Sequence, residues 1–177
     1  MKTTQVLMAF CLFSFLPAAQ ALAANKPLDV VPSVDLQRYL GTWYEIATIP
    51  HFFQKDCVGV TASYALRPDS DIDVVNTCHK KTLDGPLKTA KGKAWVVDKA
   101  TGAKLKVRFF WPFSGDYWII DLDADYQWAV VGAPDRDYLW ILCRTPRMDE
   151  ALYQELLNKA RAKGFDTSRL KRTLQAD

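Results

Sequence analysis

Two aromatic-rich blocks constrain this chain more than any other feature. Gly41-Thr42-Trp43-Tyr44-Glu45-Ile46-Ala47 opens an extended pattern, and Asp137-Tyr138-Leu139-Trp140-Ile141-Leu142-Cys143-Arg144-Thr145-Pro146 ends it. Between them lie six more strand-like runs and no long helix. Strands are expected at residues 43–48, 58–66, 72–78, 88–97, 104–110, 116–122, 127–131 and 138–144. Breaker-rich turns separate neighbours, among them Arg67-Pro68-Asp69-Ser70-Asp71, Asp84-Gly85-Pro86 and Pro134-Asp135-Arg136. Short strands at even spacing with tight turns describe an antiparallel meander. Left open, a meander exposes two edge strands, and closure removes them. The expected fold is therefore all-β: an eight-stranded antiparallel up-and-down β-barrel, wide enough inside for one small ligand.

The pattern changes after Pro146. Asp149 caps a helix expected to run to Lys163 and stop at Gly164. Leu152, Leu156, Leu157 and Ala160 share one face at helical spacing, so this α-helix should pack against the outside of the barrel. Upstream, Asp35-Leu36-Gln37-Arg38-Tyr39 forms a short helical turn ahead of the first strand.

The first residues have a different character. Met1-Lys2 gives a positive start, an apolar run follows, and Ala21-Leu22-Ala23 supplies small residues at a cleavage site. That is the pattern of a secretory signal peptide over residues 1–23, which leaves residues 24–177 as a single domain. Cys11 lies inside the apolar run behind Phe10, so it does not fit a lipid-attachment site. The expected location is the periplasm or the exterior, with outer-membrane association left open. An exported chain meets oxidising conditions, and Cys57 and Cys78 start and end neighbouring strands, so these two are expected to be bridged. Cys143 then stands alone and reads as a buried inert thiol.

Charge and motifs narrow the function classes. Lysine plus arginine number 23 and aspartate plus glutamate 20, with neither sign in a long block, which argues against a nucleic-acid partner. Only His51 and His79 are present, and no nucleophile elbow, phosphate loop or His-Glu-x-x-His motif occurs. Their spacing with Cys57 and Cys78 matches no compact metal motif, so neither metal nor cofactor is expected.

Tyr39-Leu40-Gly41-Thr42-Trp43-Tyr44-Glu45 resembles the first signature of the lipocalins. Asp125-Tyr126 resembles the second, and Arg144 the third. The fuller stretches at residues 38–47 and 134–142 are similar to bacterial lipocalins and their apolipoprotein D-like relatives, and the resemblance spans essentially the whole mature chain. It implies binding, transport or storage of a small apolar or amphiphilic ligand such as a fatty acid or lysophospholipid, in membrane maintenance or stress. It implies a monomer or weak dimer. A lipocalin-like isomerase acting on a hydrophobic substrate, through an inward Cys or Tyr, is the alternative.

Barrel geometry places the three signatures together. The start of the first strand, the turn at residues 123–125 and the end of the last strand fall at one end. There Arg144 can lie across the Trp43 ring and close the barrel. Alternation along a strand points Tyr138, Trp140 and Leu142 inward, and sends Ile141 and Cys143 towards the helix. The same count turns Glu45 and Ala47 inward in the absence of a bulge. The resemblance places Tyr64 and Asn76 in the pocket with Trp140, while Tyr117 and Ile119 are weaker candidates. At the other end, Phe52, Phe53, Trp111 and Phe113 rim the mouth. Such a rim serves either as lids or as a contact for lipid.

Overall fold

A computed structural model describes residues 26–176. The expected leader and its cleavage point lie outside these residues. The elements are a short helix α1 (Leu36–Tyr39), then β1 (Gly41–Thr48), β2 (Cys57–Leu66), β3 (Ile72–Lys80), β4 (Leu87–Val96), β5 (Lys104–Phe110), β6 (Phe113–Leu122), β7 (Trp128–Gly132) and β8 (Leu139–Cys143). Helix α2 (Glu150–Ala162) follows, and a two-residue strand β9 (Lys171–Arg172) comes after it. Single 3₁₀ turns occupy Phe52–Gln54 and Thr167–Arg169.

Sheet order runs β2-β3-β4-β5-β6-β7-β8-β1-β9, and β1 also pairs with β2, so the first eight strands close into an antiparallel barrel. Each strand lies within a few residues of its sequence-based position, because breaker residues set the turns and β-branched and aromatic residues fill the runs between them. Where β1 and β2 pair directly, Gly41 sits opposite Tyr64 and Tyr44 opposite Thr61. Beyond Tyr44 the two strands part, and the chain's last residues fill the seam. The Thr173 N–H donates to the Ile46 carbonyl, and the Gly59 N–H donates to that of Leu174.

Two apolar layers hold the fold. One fills the barrel and includes Trp43, Ile72, Val74, Leu105, Ile119, Val131 and Leu142. The other lies between the barrel wall and α2 and includes Ile46, Val130, Leu139, Ile141, Cys143, Leu156 and Phe165. Ile141 and Cys143 thus face the helix. Ala47 departs from the simple count: it lies in the helix-side layer, because a bulge between Glu45 and Ala47 reverses the alternation. Glu45, before the bulge, sits opposite Leu142, which belongs to the barrel layer.

Helix α2 begins where Asp149 accepts the Leu152 N–H at 3.0 Å. It ends before Gly164, whose φ of +90° suits a residue without a side chain. Tyr153, Leu156 and Ala160 are its buried residues, with Leu152 and Leu157 at the margins of that face. Among the described residues no helix is long and apolar enough to cross a membrane.

Candidate ligand cavity

At one end the barrel is shut from wall to wall. Trp43 is fully buried, and its Nε1–H donates to the Tyr39 carbonyl at 2.8 Å. The Arg144 guanidinium lies 3.8 Å from the Trp43 ring centroid, a cation–π contact. Its N–H groups also donate to the carbonyls of Arg38 at 2.7 Å, Thr42 at 2.9 Å and Tyr126 at 3.2 Å. A planar five-donor fork suits this role, since it binds three chain segments without leaving a buried donor idle. Gly41 allows the approach with φ of +91°, and a Cβ there would meet Arg144 Nη1 at 3.4 Å. The α1 turn is fastened to the same end. Asp35 caps it, and the Asp35 N–H donates to the Tyr126 hydroxyl at 2.8 Å.

Above that floor sits a cluster of three phenols. The Tyr39 and Tyr117 hydroxyls are 2.8 Å apart, and those of Tyr64 and Tyr117 are 2.9 Å apart. Burial weakens all three phenols as acids: the Tyr64 pKa is pushed up to about 12, and those of Tyr39 and Tyr117 well above the ordinary phenol value. The phenols are therefore neutral near pH 7. Two hydrogen bonds among three hydroxyls use two O–H protons and leave one to offer a guest.

Asn76 lies on β3 in step with the inward Ile72 and Val74, opposite Ala62 of β2. Its Oδ1 is buried and has no hydrogen-bond partner. A buried amide left unpaired is costly, and a bound polar group would satisfy it. Ile119 and Leu142 are buried in the same interior, and Trp140 packs against it.

Nearer the mouth, the wall becomes an aromatic stack. The His51 ring lies 4.2 Å from that of Tyr138 and 5.2 Å from that of Phe53, and Tyr138 in turn stacks on Trp140 at 5.9 Å. Burial is the main cause that holds His51 below the usual histidine range, helped by the nearby Arg169 charge, so this ring is neutral near pH 7. Its Nε2 is buried and unpartnered. Gln54 links the stack to the seam. Its Nε2–H donates to Glu45 at 2.8 Å, and its Oε1 lies 3.5 Å from Trp140 Nε1. The buried Glu45 carboxylate also accepts the Thr173 hydroxyl at 2.6 Å, and the Gln175 side chain spans the carbonyls of Glu45 and Val60. Desolvation raises the Glu45 pKa, and the hydrogen bonds from Thr173 and Gln54 offset part of that.

The rim residues sort differently. Phe52, Trp111 and Phe113 stand out in solvent, and Phe53 is partly covered by its stack with His51. Phe52 and Phe113 do not fold across the mouth. The Cys57–Cys78 disulfide joins the start of β2 to the end of β3 on this side. Cys143 is buried beside the Thr145 hydroxyl, on the helix side of the wall. Among the described residues no group of three or more metal-binding side chains converges.

Sequence reasoning left Tyr39, His51 and Gln54 out of the site, and turned Glu45 inward without giving it a role there. Tyr39 carried a signal, since it stands four residues before Trp43 within one signature. Glu45 carried one in its alternation with Trp43. Nothing periodic marks His51 and Gln54, which lie on a connecting loop.

Comparison with known proteins agrees with this architecture. Residues 34–175 match the lipocalin-like domain family. Outer membrane lipoprotein Blc of Escherichia coli K12 is 46% identical over 144 residues, covering 81% of each chain. Temperature-induced lipocalin-1 of Arabidopsis thaliana is 41% identical over 165 residues, covering 88% of this chain and 87% of its own. Among solved structures, insecticyanin of Manduca sexta superposes with a TM-score of 0.67 at 18% identity, covering 86% of each chain. The chain belongs to the lipocalin family.

Proposed function

We propose that this lipocalin carries or stores a single-chain lipid, a fatty acid or lysophospholipid, outside the cytoplasm, by burial in the barrel and without covalent chemistry. The observation that carries the reading is the make-up of the interior. An apolar wall of Ile72, Val74, Leu105, Ile119 and Leu142 surrounds a few neutral polar groups, and the Asn76 amide oxygen is left without a partner. That is the composition of a small-molecule site. Tyr64, Tyr117 and Asn76 can hydrogen-bond a carbonyl, hydroxyl or ester, while Tyr138 and Trp140 line the approach. The Cys57–Cys78 bridge suits an oxidising compartment, and the Escherichia coli relative's name places that protein at the outer membrane. A part in membrane maintenance under stress accords with the word temperature-induced in the plant relative's name.

An isomerase acting through an inward thiol has less support, because Cys143 packs on the helix side of the wall. Burial also raises the pKa values of Tyr39, Tyr64 and Tyr117, which deprives them of phenolate character.

Native mass spectrometry of the protein from its own compartment tests the proposal. A fatty acid or lysophospholipid near one-to-one is expected. Each added methylene contributes about 0.8 kcal/mol on burial, so two should tighten binding roughly tenfold until the cavity is full. An empty barrel that takes up neither lipid would overturn the reading.

A further inference from the structure

We propose that the open end of the barrel docks on an anionic phospholipid bilayer, with the β5–β6 hairpin tip as the inserting element. This surface is separate from the cavity wall and does not need a bound ligand. Hairpin tips are normally built of small polar turn residues. This one reads Phe110-Trp111-Pro112-Phe113, and Phe110, Trp111 and Phe113 are 77%, 82% and 78% exposed. Phe110 pairs with Phe113 across the hairpin, so the strands hold the aromatic side chains at the very end of the barrel. Phe52, 90% exposed, stands on the β1–β2 connection, and Leu87, 63% exposed, begins β4. All three places lie on the open end by the up-and-down topology.

The opposite end is built otherwise. Its turns read Asp98-Lys99-Ala100-Thr101-Gly102 and Asp123-Ala124-Asp125, and Trp43 is buried there. Exposed aromatic groups at the end of a barrel favour the interfacial layer of a bilayer, where a ring meets both head groups and acyl chains.

Charge selects the kind of bilayer. Lys55, Lys81, Lys88 and Lys91 are exposed on the connections and the strand beside these apolar points. Among the described residues none of the four forms an ion pair. Asp56 and Asp84 are the acids next to them on the same two connections. The unpaired cations flanking an aromatic tip complement anionic head groups, which attract each lysine near the surface. An apolar protein groove would instead ask for one continuous patch, and here the apolar points are spread around the rim.

Vesicle flotation tests the proposal, using phosphatidylcholine alone and phosphatidylcholine with roughly one-third phosphatidylglycerol. The protein should float with the anionic vesicles, less so as salt rises. Trp111→Ser with Phe113→Ser should cut the bound fraction roughly tenfold with an unchanged circular dichroism spectrum and melt, since both side chains are exposed. Phe52→Ser, on another connection, should lower it as well. Lys81→Ala with Lys88→Ala should abolish the preference for anionic vesicles. Trp140→Ala, which lies in the cavity wall, should float like the wild type, so failure of the ligand reading and failure of docking are told apart. Docking is overturned if the wild type stays with the soluble fraction on both vesicles, or if the tip variant floats equally well. It is also overturned if sedimentation velocity shows the tip joining two copies of the chain in solution.

Discussion

The two ends of this barrel are both rich in aromatic residues, yet they treat those residues in opposite ways. At the closed end the indole N–H of Trp43 has a carbonyl partner, and the Arg144 guanidinium covers its ring while binding three carbonyls. At the open end His51 Nε2 lacks a partner, and so does the Asn76 amide oxygen further in, while Phe52, Trp111 and Phe113 face water. Satisfied polar groups around a buried ring make a scaffold. Unsatisfied ones beside exposed rings cost stability, and such costs persist where something else is meant to bind. On the proposed reading, the difference separates the part of the molecule that holds the fold from the part that would receive a ligand or a membrane.

The sharpest way to break this contrast is at Trp43. Trp43→Ala removes a fully buried indole and should cost about 3–5 kcal/mol in denaturant unfolding. A loss under about 1 kcal/mol would mean the floor is not the anchor of the fold. Next comes the open end's own brace. Serine at both Cys57 and Cys78 releases a cross-link spanning 21 residues, which the loop-entropy relation values at about 3 kcal/mol. If this change cost clearly more than the loss of Trp43, the open end and not the floor would anchor the fold. Third is Arg144→Met, which keeps the length of the side chain but strips the donors from three carbonyls and the charge from the indole face. A loss of about 2 kcal/mol is expected, with ligand affinity kept.

Function should divide the other way. Trp140→Ala at the cavity wall should weaken lipid binding roughly tenfold, read by titration, with a melting temperature close to wild type. An unchanged affinity would move the binding site away from the aromatic stack.

The closed end was largely legible in the sequence, and the open end only in outline. Trp43 and Arg144 announce themselves because a single short signature and the last strand carry them, and strand alternation fixes where they point. The eight strands, the Asp149 cap and the Gly164 stop are equally local, being written in turn residues and period. What escaped depends on distant pairing. The bulge after Glu45 turns Ala47 outward, and it lies where β1 leaves β2 and pairs instead with β9, at the far end of the chain. No periodicity near residue 45 reports on residues 171–175. Tyr153 is a different case: it stands three residues before Leu156 and seven before Ala160, so the helical period alone puts it on the buried face with them.

Glu45 offers the finest test, because it sits where the two regimes meet. Its carboxyl is buried, burial raises its pKa, and the hydrogen bonds from Thr173 and Gln54 only partly offset this. The folded protein therefore holds this proton more tightly than the unfolded chain does. Its contribution to stability is fullest below the unfolded value near 4.5 and is lost as pH rises through the folded pKa. Glu45→Gln keeps the shape and removes the titration, so the variant should gain on the wild type as pH climbs through that window. The difference between the two melting temperatures isolates Glu45 from Asp69, Asp98, Glu150 and Asp166, whose lowered values act in the opposite sense. A difference that stays flat with pH would show that water reaches the seam between β1 and β2. The carboxylate would then belong to the wet open end and not to the packed interior.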